Sequence, residues 1–264
     1  MAHLLEAVLL GIIQGIAEWL PISSTGHLRL AEHFLGLTVP ILFDITLHVG
    51  TLIVVLFFFR KDVKNILTAL AHLDFKSENG RFIPLIVVGS IPTALIGLAF
   101  SDQIVSTFRS PVPIAVALVI CGTLLFMSRF AGEKTDNITY IKALALGIAQ
   151  GLAIIPGFSR SGTTIAVALM LGLKREKAFR FSFLLSIPAI VGALGFMTYK
   201  EHETLIQTGI SGGEILVGAT IAMIAGYFAL RLLQKAIESK KFYLFASYCW
   251  LLGTALVVLS LFRV

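Results

Sequence analysis

Hydrophobic positions in this chain run in long blocks instead of alternating with polar ones. Six apolar stretches, at 39–59, 82–100, 112–128, 178–198, 213–231 and 242–262, each approach the ~20 residues an α-helix needs to cross a bilayer. Two further regions, 4–37 and 142–173, are apolar but interrupted. The interruptions read Leu20-Pro21-Ile22-Ser23-Ser24-Thr25-Gly26-His27 and Ile155-Pro156-Gly157-Phe158-Ser159-Arg160-Ser161-Gly162-Thr163-Thr164. Neither half of either region crosses comfortably, so a helix–turn–helix that enters and leaves on one side fits each better. The pattern predicts an all-α, polytopic integral membrane protein with six spanning helices and two re-entrant helix hairpins. The longest polar connection, 60–81, carries a short interfacial helix around Val63 to Leu73.

Composition agrees with that pattern. Hydrophobic residues make up 57% of the 264 positions, charged residues 14%, and mean hydropathy is +0.92. Soluble domains carry about 25% charged residues. The net charge is +6, but the basic residues sit in short loops between apolar runs. That is a signal of membrane orientation and not of nucleic-acid binding. Cys121 and Cys249 both lie inside apolar runs and have no metal-ligand spacing. The first segment has no basic n-region and carries Gln14 and Glu18, so it does not read as a signal peptide.

The two interrupted regions are copies of each other. A shift of 136 aligns 10–37 with 146–173 without a gap, and eleven of the twenty-eight positions are identical. They include Gly11/Gly147, Gln14/Gln150, Gly15/Gly151, Ser23/Ser159, Gly26/Gly162 and Gly36/Gly172. Ser90-Ile91-Pro92 and Ser186-Ile187-Pro188 form a second echo. The chain therefore reads as one membrane domain over 1–264, built from a first repeat of about 1–130 and a second of about 138–264. Three crossings per half would turn the second repeat upside down relative to the first. One side then collects sixteen of the twenty-one basic residues, from Arg60 through Arg129 and Arg175 to Lys241. The other side keeps Arg29, Arg109, Lys200 and Arg263, and Arg160 lies in the second break. Cytoplasmic loops carry the Lys/Arg excess, so both termini are expected to face outward.

Polar groups at membrane depth are costly and mark function by default. Gln14 and Glu18 are four apart and share a helix face. Glu18 is either a helix-end carboxylate at the interface or a metal ligand or general base, with Gln14 offering an amide oxygen to the same metal. Its repeat mate is Ile154, so the acid chemistry belongs to the first half alone. Ser23, Ser24, Thr25, Gly26 and His27 open a half-helix. Ser23 and Thr25 read equally as N-caps and as parts of an anion site built on free N–H groups. His27 is either a packed polar residue or a group for proton transfer or phosphate binding. Arg160 opens the second half-helix, and its planar fork suits phosphate; its alternative is an internal ion pair with Glu18. Ser159, Ser161, Gly162 and Thr164 add hydroxyl and backbone donors. Asp44 and His48, four apart, form a second polar stripe or an orienting pair. Gly11, Gly15, Gly147 and Gly151 read as small-residue helix packing.

At these residues the chain resembles the undecaprenyl-diphosphate phosphatase family, the bacitracin-resistance proteins. The family's motifs are Glu/Gln-x-x-x-Glu with a following Pro-x-Ser-Ser-Thr-Gly-His, and Pro-Gly-x-Ser-Arg-Ser-x-x-Thr. Here they stand as Gln14 to Glu18, Pro21 to His27, and Pro156 to Thr164. The resemblance runs the whole chain. It implies hydrolysis of undecaprenyl diphosphate to undecaprenyl phosphate and inorganic phosphate, which recycles the cell-wall lipid carrier and confers bacitracin resistance. It also implies a divalent cation, Mg²⁺ or Ca²⁺, and a multi-pass place in the bacterial cytoplasmic (inner) membrane, with the site open to the periplasmic or outer face. By the same resemblance Ser24 is the nucleophile, surrounded by Glu18, His27, Arg160, Ser159 and Thr164. Gln14 stands where many members have Glu, which weakens a two-carboxylate metal site. The expected partners are the polyprenyl diphosphate lipid and membrane lipid, with no nucleic acid, and a homodimer is compatible with the pattern. Transport or flipping of an anionic lipid phosphate is the rival reading, since inverted repeats with broken helices also build transporters. A non-catalytic scaffold leaves Arg160 at depth unexplained.

Overall fold

The computed structural model describes residues 2–36, 41–108, 110–200 and 211–262. Arg109 and Arg263, two of the four residues placed on the less basic side, lie outside them. The described residues form eleven α-helices: α1 (Ala2–Trp19), α2 (Ser24–Leu35), α3 (Ile41–Phe58), α4 (Arg60–Ala71), α5 (Phe82–Thr107), α6 (Pro111–Met127), α7 (Tyr140–Leu152), α8 (Arg160–Met170), α9 (Arg175–Lys200), α10 (Gly212–Glu238) and α11 (Phe245–Leu261). There is no β-strand among them, only two isolated bridges. Six helices are long and apolar enough to cross a membrane: α3, α5, α6, α9, α10 and α11. They overlie the six apolar stretches. α5, α9 and α10 extend beyond them, because helix geometry tolerates polar residues once the chain leaves the apolar layer. Large apolar side chains such as Leu95, Leu216, Phe228 and Leu251 project outward from these helices. In water that face would be an aggregation surface; in lipid it costs nothing. The protein is a multi-pass membrane protein.

Each interrupted region is a helix, a break and a helix: α1–α2 and α7–α8. The same local chemistry ends and restarts them. Ser23 caps α2 by accepting from the Gly26 N–H, and Ser159 caps α8 by accepting from the Gly162 N–H. Gly36 and Gly172 follow α2 and α8 with φ of 63° and 78°, a left-handed conformation that suits glycine.

Helix packing follows the sequence shift. α1 lies along α10, and its sequence mate α7 lies along α5. α3 meets α9 and α6 meets α11. The approaches are close enough to require glycine. A Cβ on Gly11 would come within 2.6 Å of the Gly218 carbonyl oxygen, and one on Gly15 within 2.6 Å of the Ala222 oxygen. One on Gly147 would meet the Gly89 oxygen at 2.0 Å. Small residues let backbones touch where no hydrophobic force separates helix from lipid. The two Ser-Ile-Pro segments, in contrast, do not lie on helices that the shift of 136 pairs. Pro92 lies in α5, the second spanning helix of its half, and Pro188 in α9, the first of its half.

The basic segments gather at one end. Arg180 pairs with Asp62 of α4 at 2.5 Å, and Lys177 with Glu78 at 3.2 Å. Arg175 pairs with Glu133 at 3.0 Å, and Lys174 with Asp136. The Arg129 guanidinium lies over the Tyr243 ring. The connections 59–81, 128–139 and 239–244 thus meet the start of α9 on the same end of the bundle.

Candidate active site

The two breaks meet. Ser23 Oγ, besides capping its own helix, accepts from the Gly157 N–H at 2.9 Å. From the other side, Ser161 Oγ donates to the Trp19 carbonyl at 2.9 Å and Ser159 Oγ to the Leu20 carbonyl at 3.4 Å. The last turn of α1 has carbonyls without intrahelical partners, and the second break supplies donors for them. Gly162 packs under Pro21, so closely that a Cβ would stand 2.9 Å from the proline ring. Gly157, at φ 103°, lies against α6, where a Cβ would meet the Ile114 oxygen at 2.6 Å.

Glu18 ends α1 at this junction and is buried. One carboxylate oxygen takes the Arg160 guanidinium. The other accepts from Ser24 Oγ at 2.6 Å and from Gln14 Nε2 at 3.0 Å. The internal ion pair between Arg160 and Glu18 therefore forms, and it forms together with the serine contact. A buried ion pair is tolerated only when hydrogen bonds satisfy its remaining valences. Here Ser24 and Gln14 do so for the carboxylate. The guanidinium is less complete. Its Nη1 is buried without a hydrogen-bond partner, and it lies 5.5 Å from the Trp19 ring. Around the guanidinium, Arg160, Ser161, Thr164, Ser182, Phe183 and Ser186 line a narrow crevice too tight for a water molecule.

The remaining expected residues fall into two groups. Ser23, Ser159, Ser161 and Gly162 build the junction itself, and the hydroxyls of Ser159 and Ser161 are committed to it. Thr164 Oγ1 donates to the Arg160 carbonyl at 2.8 Å and stiffens the first turn of α8. Thr25 is exposed beside Ser24, and Gly26 is buried with a would-be Cβ 3.2 Å from the Gly157 nitrogen. His27 does not reach Ser24 by either nitrogen. Nδ1 meets the Ser23 carbonyl at 2.7 Å and Nε2 meets Tyr248 Oη at 2.6 Å. The Ser24 hydroxyl thus bonds to Glu18 and not to His27. His48 faces this site, with Nδ1 3.3 Å from Gln14 Nε2 and Nε2 3.9 Å from Glu18, and Asp44 lies behind it, 3.6 Å from Nδ1.

Two residues at the site were missed from sequence. Trp19, fully buried, packs tilted against Phe183, and its ring lies 5.5 Å from the guanidinium. In an apolar run it reads as ordinary core. Tyr248 lies far along the chain in α11, and no local pattern marks it.

Among the described residues no three His, Cys, Asp or Glu side chains converge as a metal site. The oxygens available are the Glu18 carboxylate and Gln14 Oε1, which is buried and has no partner. Hard cations such as Mg²⁺ are commonly held by one or two protein oxygens plus substrate phosphate, and this pair of donors fits that use.

A hydroxyl bonded to a buried carboxylate, beside an arginine, at the meeting point of two helix breaks, defines a class: a helical integral membrane protein with a hydrolase-like site for an anionic substrate. The model of the family described as Bacitracin resistance protein BacA matches residues 7–255. The chain is 41% identical to an undecaprenyl-diphosphatase of Desulforapulum autotrophicum, covering 97% of this chain and 98% of that protein. It is 40% identical to one of Methanosphaera stadtmanae, covering 98% and 99%, and 40% identical to one of Halothermothrix orenii, covering 98% of each. The chain belongs to the bacitracin-resistance protein family.

Proposed function

We propose that this protein removes the terminal phosphate of undecaprenyl diphosphate, yielding undecaprenyl phosphate and inorganic phosphate. The names of its relatives and the chemistry of its own site support the same activity. The observation that carries it is the convergence on Glu18, where Ser24 and Arg160 arrive from different breaks and bond to different oxygens.

In this reading the diphosphate enters between the breaks while the prenyl tail stays in lipid. Its terminal phosphate draws Arg160, whose Nη1 is already without a partner. Ser24 Oγ attacks the terminal phosphorus and its proton passes to Glu18. The bond from that phosphorus to the bridging oxygen breaks, and undecaprenyl phosphate leaves. Glu18 passes its proton to the departing undecaprenyl phosphate; water then attacks the phosphoserine and gives a proton to Glu18, which hands it to Ser24 Oγ as the Oγ–P bond breaks and phosphate leaves. Arg160 and the first N–H groups of α2 and α8 face the charge in transit, where catalysis of phosphoryl transfer chiefly lies. Gln14 Oε1 and Glu18 would hold a divalent cation. When bound, the cation would neutralise part of the diphosphate charge.

The architecture of the site follows from an inverted repeat, with α1–α2 and α7–α8 as re-entrant hairpins and three spanning helices after each. The reciprocal packing of α1 on α10 and α7 on α5 supports this. Lys/Arg segregation to one end supports a cytoplasmic face there, with the site opening to the outer face of the cytoplasmic membrane.

The test is phosphate release from undecaprenyl diphosphate by purified protein in detergent, where transport has no meaning. Ser24→Ala, Glu18→Ala and Arg160→Ala are assayed beside the parent. Steep loss in all three is expected. Parental rates in Ser24→Ala would reject the serine mechanism, and no release by the parent would reject the activity.

A further inference from the structure

His27 is held at both ring nitrogens, and the second hold comes from the far end of the chain. The Ser23 carbonyl can only accept, so Nδ1 carries the hydrogen in the 2.7 Å bond to it. In the neutral ring Nε2 then has a lone pair, and the Tyr248 hydroxyl, 2.6 Å away, donates to it. The two rings also stack, with centroids 5.7 Å apart and planes 17° from parallel. His27 is only half-buried, and Tyr248 is 42% exposed. The pair therefore stands at the surface of the bundle, one turn along α2 from Ser24. Ser24 Oγ donates to Glu18 and neither His27 nor Tyr248 bonds to it.

The geometry points to Tyr248 as a phosphate-binding residue that works as a unit with His27. The two donors are linked by one reversible hydrogen bond. With His27 neutral, the phenol hydrogen points to Nε2. When a proton reaches Nε2, the new N–H donates to the phenol oxygen and the phenol hydrogen turns outward. One proton is added, no covalent bond to carbon breaks, and Tyr248 stays neutral throughout. The diphosphate is the group that makes this exchange favourable. Its negative charge beside the pair stabilises imidazolium and accepts the outward O–H. α11, the last helix of the second half, thereby contributes to binding a headgroup that the two breaks alone would hold on one side only.

This inference rests on the phosphatase reading, and the experiment separates the two. Tyr248→Phe keeps the stacked ring and removes the hydroxyl alone. For the purified protein, KM and kcat with undecaprenyl diphosphate are measured, and pyrophosphate binding is followed by calorimetry. The expected result is a rise of about three- to tenfold in KM and in the pyrophosphate dissociation constant, the range of one lost hydrogen bond, with kcat little changed. In a His27→Ala background the same substitution should add almost nothing, because the unit is already broken. Parental KM and pyrophosphate affinity in Tyr248→Phe would overturn the assignment. So would an equal loss with and without His27, which marks a packing effect. If the parent releases no phosphate, the phosphatase reading fails, while pyrophosphate binding still decides for or against Tyr248.

Discussion

Ser24 and Glu18 are six residues apart, yet the hydroxyl of the first donates to the carboxylate of the second at 2.6 Å across a helix break. Pro21 and the left-handed Ser23 (φ 73°) stop α1 and turn the chain so that α2 starts beside the end of α1. A continuous helix would have placed the two side chains on different faces. Glu18→Gln keeps the shape and a hydrogen-bond acceptor but cannot take a proton. Loss of a positioned general base costs about 10²–10⁴-fold, so kcat for phosphate release should fall by that amount with KM little affected. A kcat within tenfold of the parent would show that the proton leaves Ser24 by another route.

Arg160 and Glu18 should also be coupled in stability. Removing one partner of a buried pair leaves an uncompensated charge and costs about 3–5 kcal/mol, whereas removing both is far milder. Thermal unfolding in detergent should therefore rank Arg160→Ala and Glu18→Ala well below the parent, with the Glu18→Ala/Arg160→Ala double variant above either single one. Additive losses in the double variant would mean that the pair is not energetically linked.

The junction between the breaks depends on Gly157. Its φ of 103° is unfavourable for any side chain, and a Cβ would sit 2.6 Å from both the Ile114 oxygen and the Ala117 methyl. Gly157→Ala should cost more than the about 1–3 kcal/mol of backbone strain alone, and it should lower activity, because the Ser23–Gly157 bond aligns the two half-helices. Gly195 in α9 is the control, with nothing within 4 Å of its would-be Cβ. Gly195→Ala should be neutral or stabilising by about 0.5–1 kcal/mol. Equal behaviour of the two variants in a melting experiment would contradict this account.

Much of this arrangement was legible in the chain because its causes are local or periodic. Apolar run length marked the six spanning helices, and Pro, Gly and Ser marked both breaks. The shift of 136 marked Gly11, Gly15 and Gly147, which prove to be close backbone approaches. What the sequence withheld depends on which surfaces meet in three dimensions. Tyr248 joins His27 only because α11 packs near α2, and Trp19 meets Arg160 only because the breaks interlock. His27 lies close to Ser24 in the chain, but its ring is oriented by Ser23 and Tyr248, contacts that sequence proximity does not reveal. The Ser-Ile-Pro echo lies on helices that the shift of 136 does not pair, because three residues around one proline are too short to mark a register.

Gln14 offers the sharpest test of the cation. Its Nε2 donates to Glu18 while its Oε1 is buried without a partner, so one donor of the proposed pair is a neutral amide oxygen. A carboxylate at this position would place two negative groups four residues apart on one helix face. Without a cation they would repel each other beside Arg160; with one they would form a stronger oxygen site. Gln14→Glu should therefore lower the concentration of Mg²⁺ or Ca²⁺ needed for half-maximal activity after chelation. It should also make the melting temperature depend on the cation more steeply than in the parent, since ligand that binds only the folded state stabilises it by mass action. If metal titrations of activity and of melting superimpose for the two proteins, Gln14 is not a ligand. Its orphaned oxygen would then need another explanation, such as a bound water between α1 and α3.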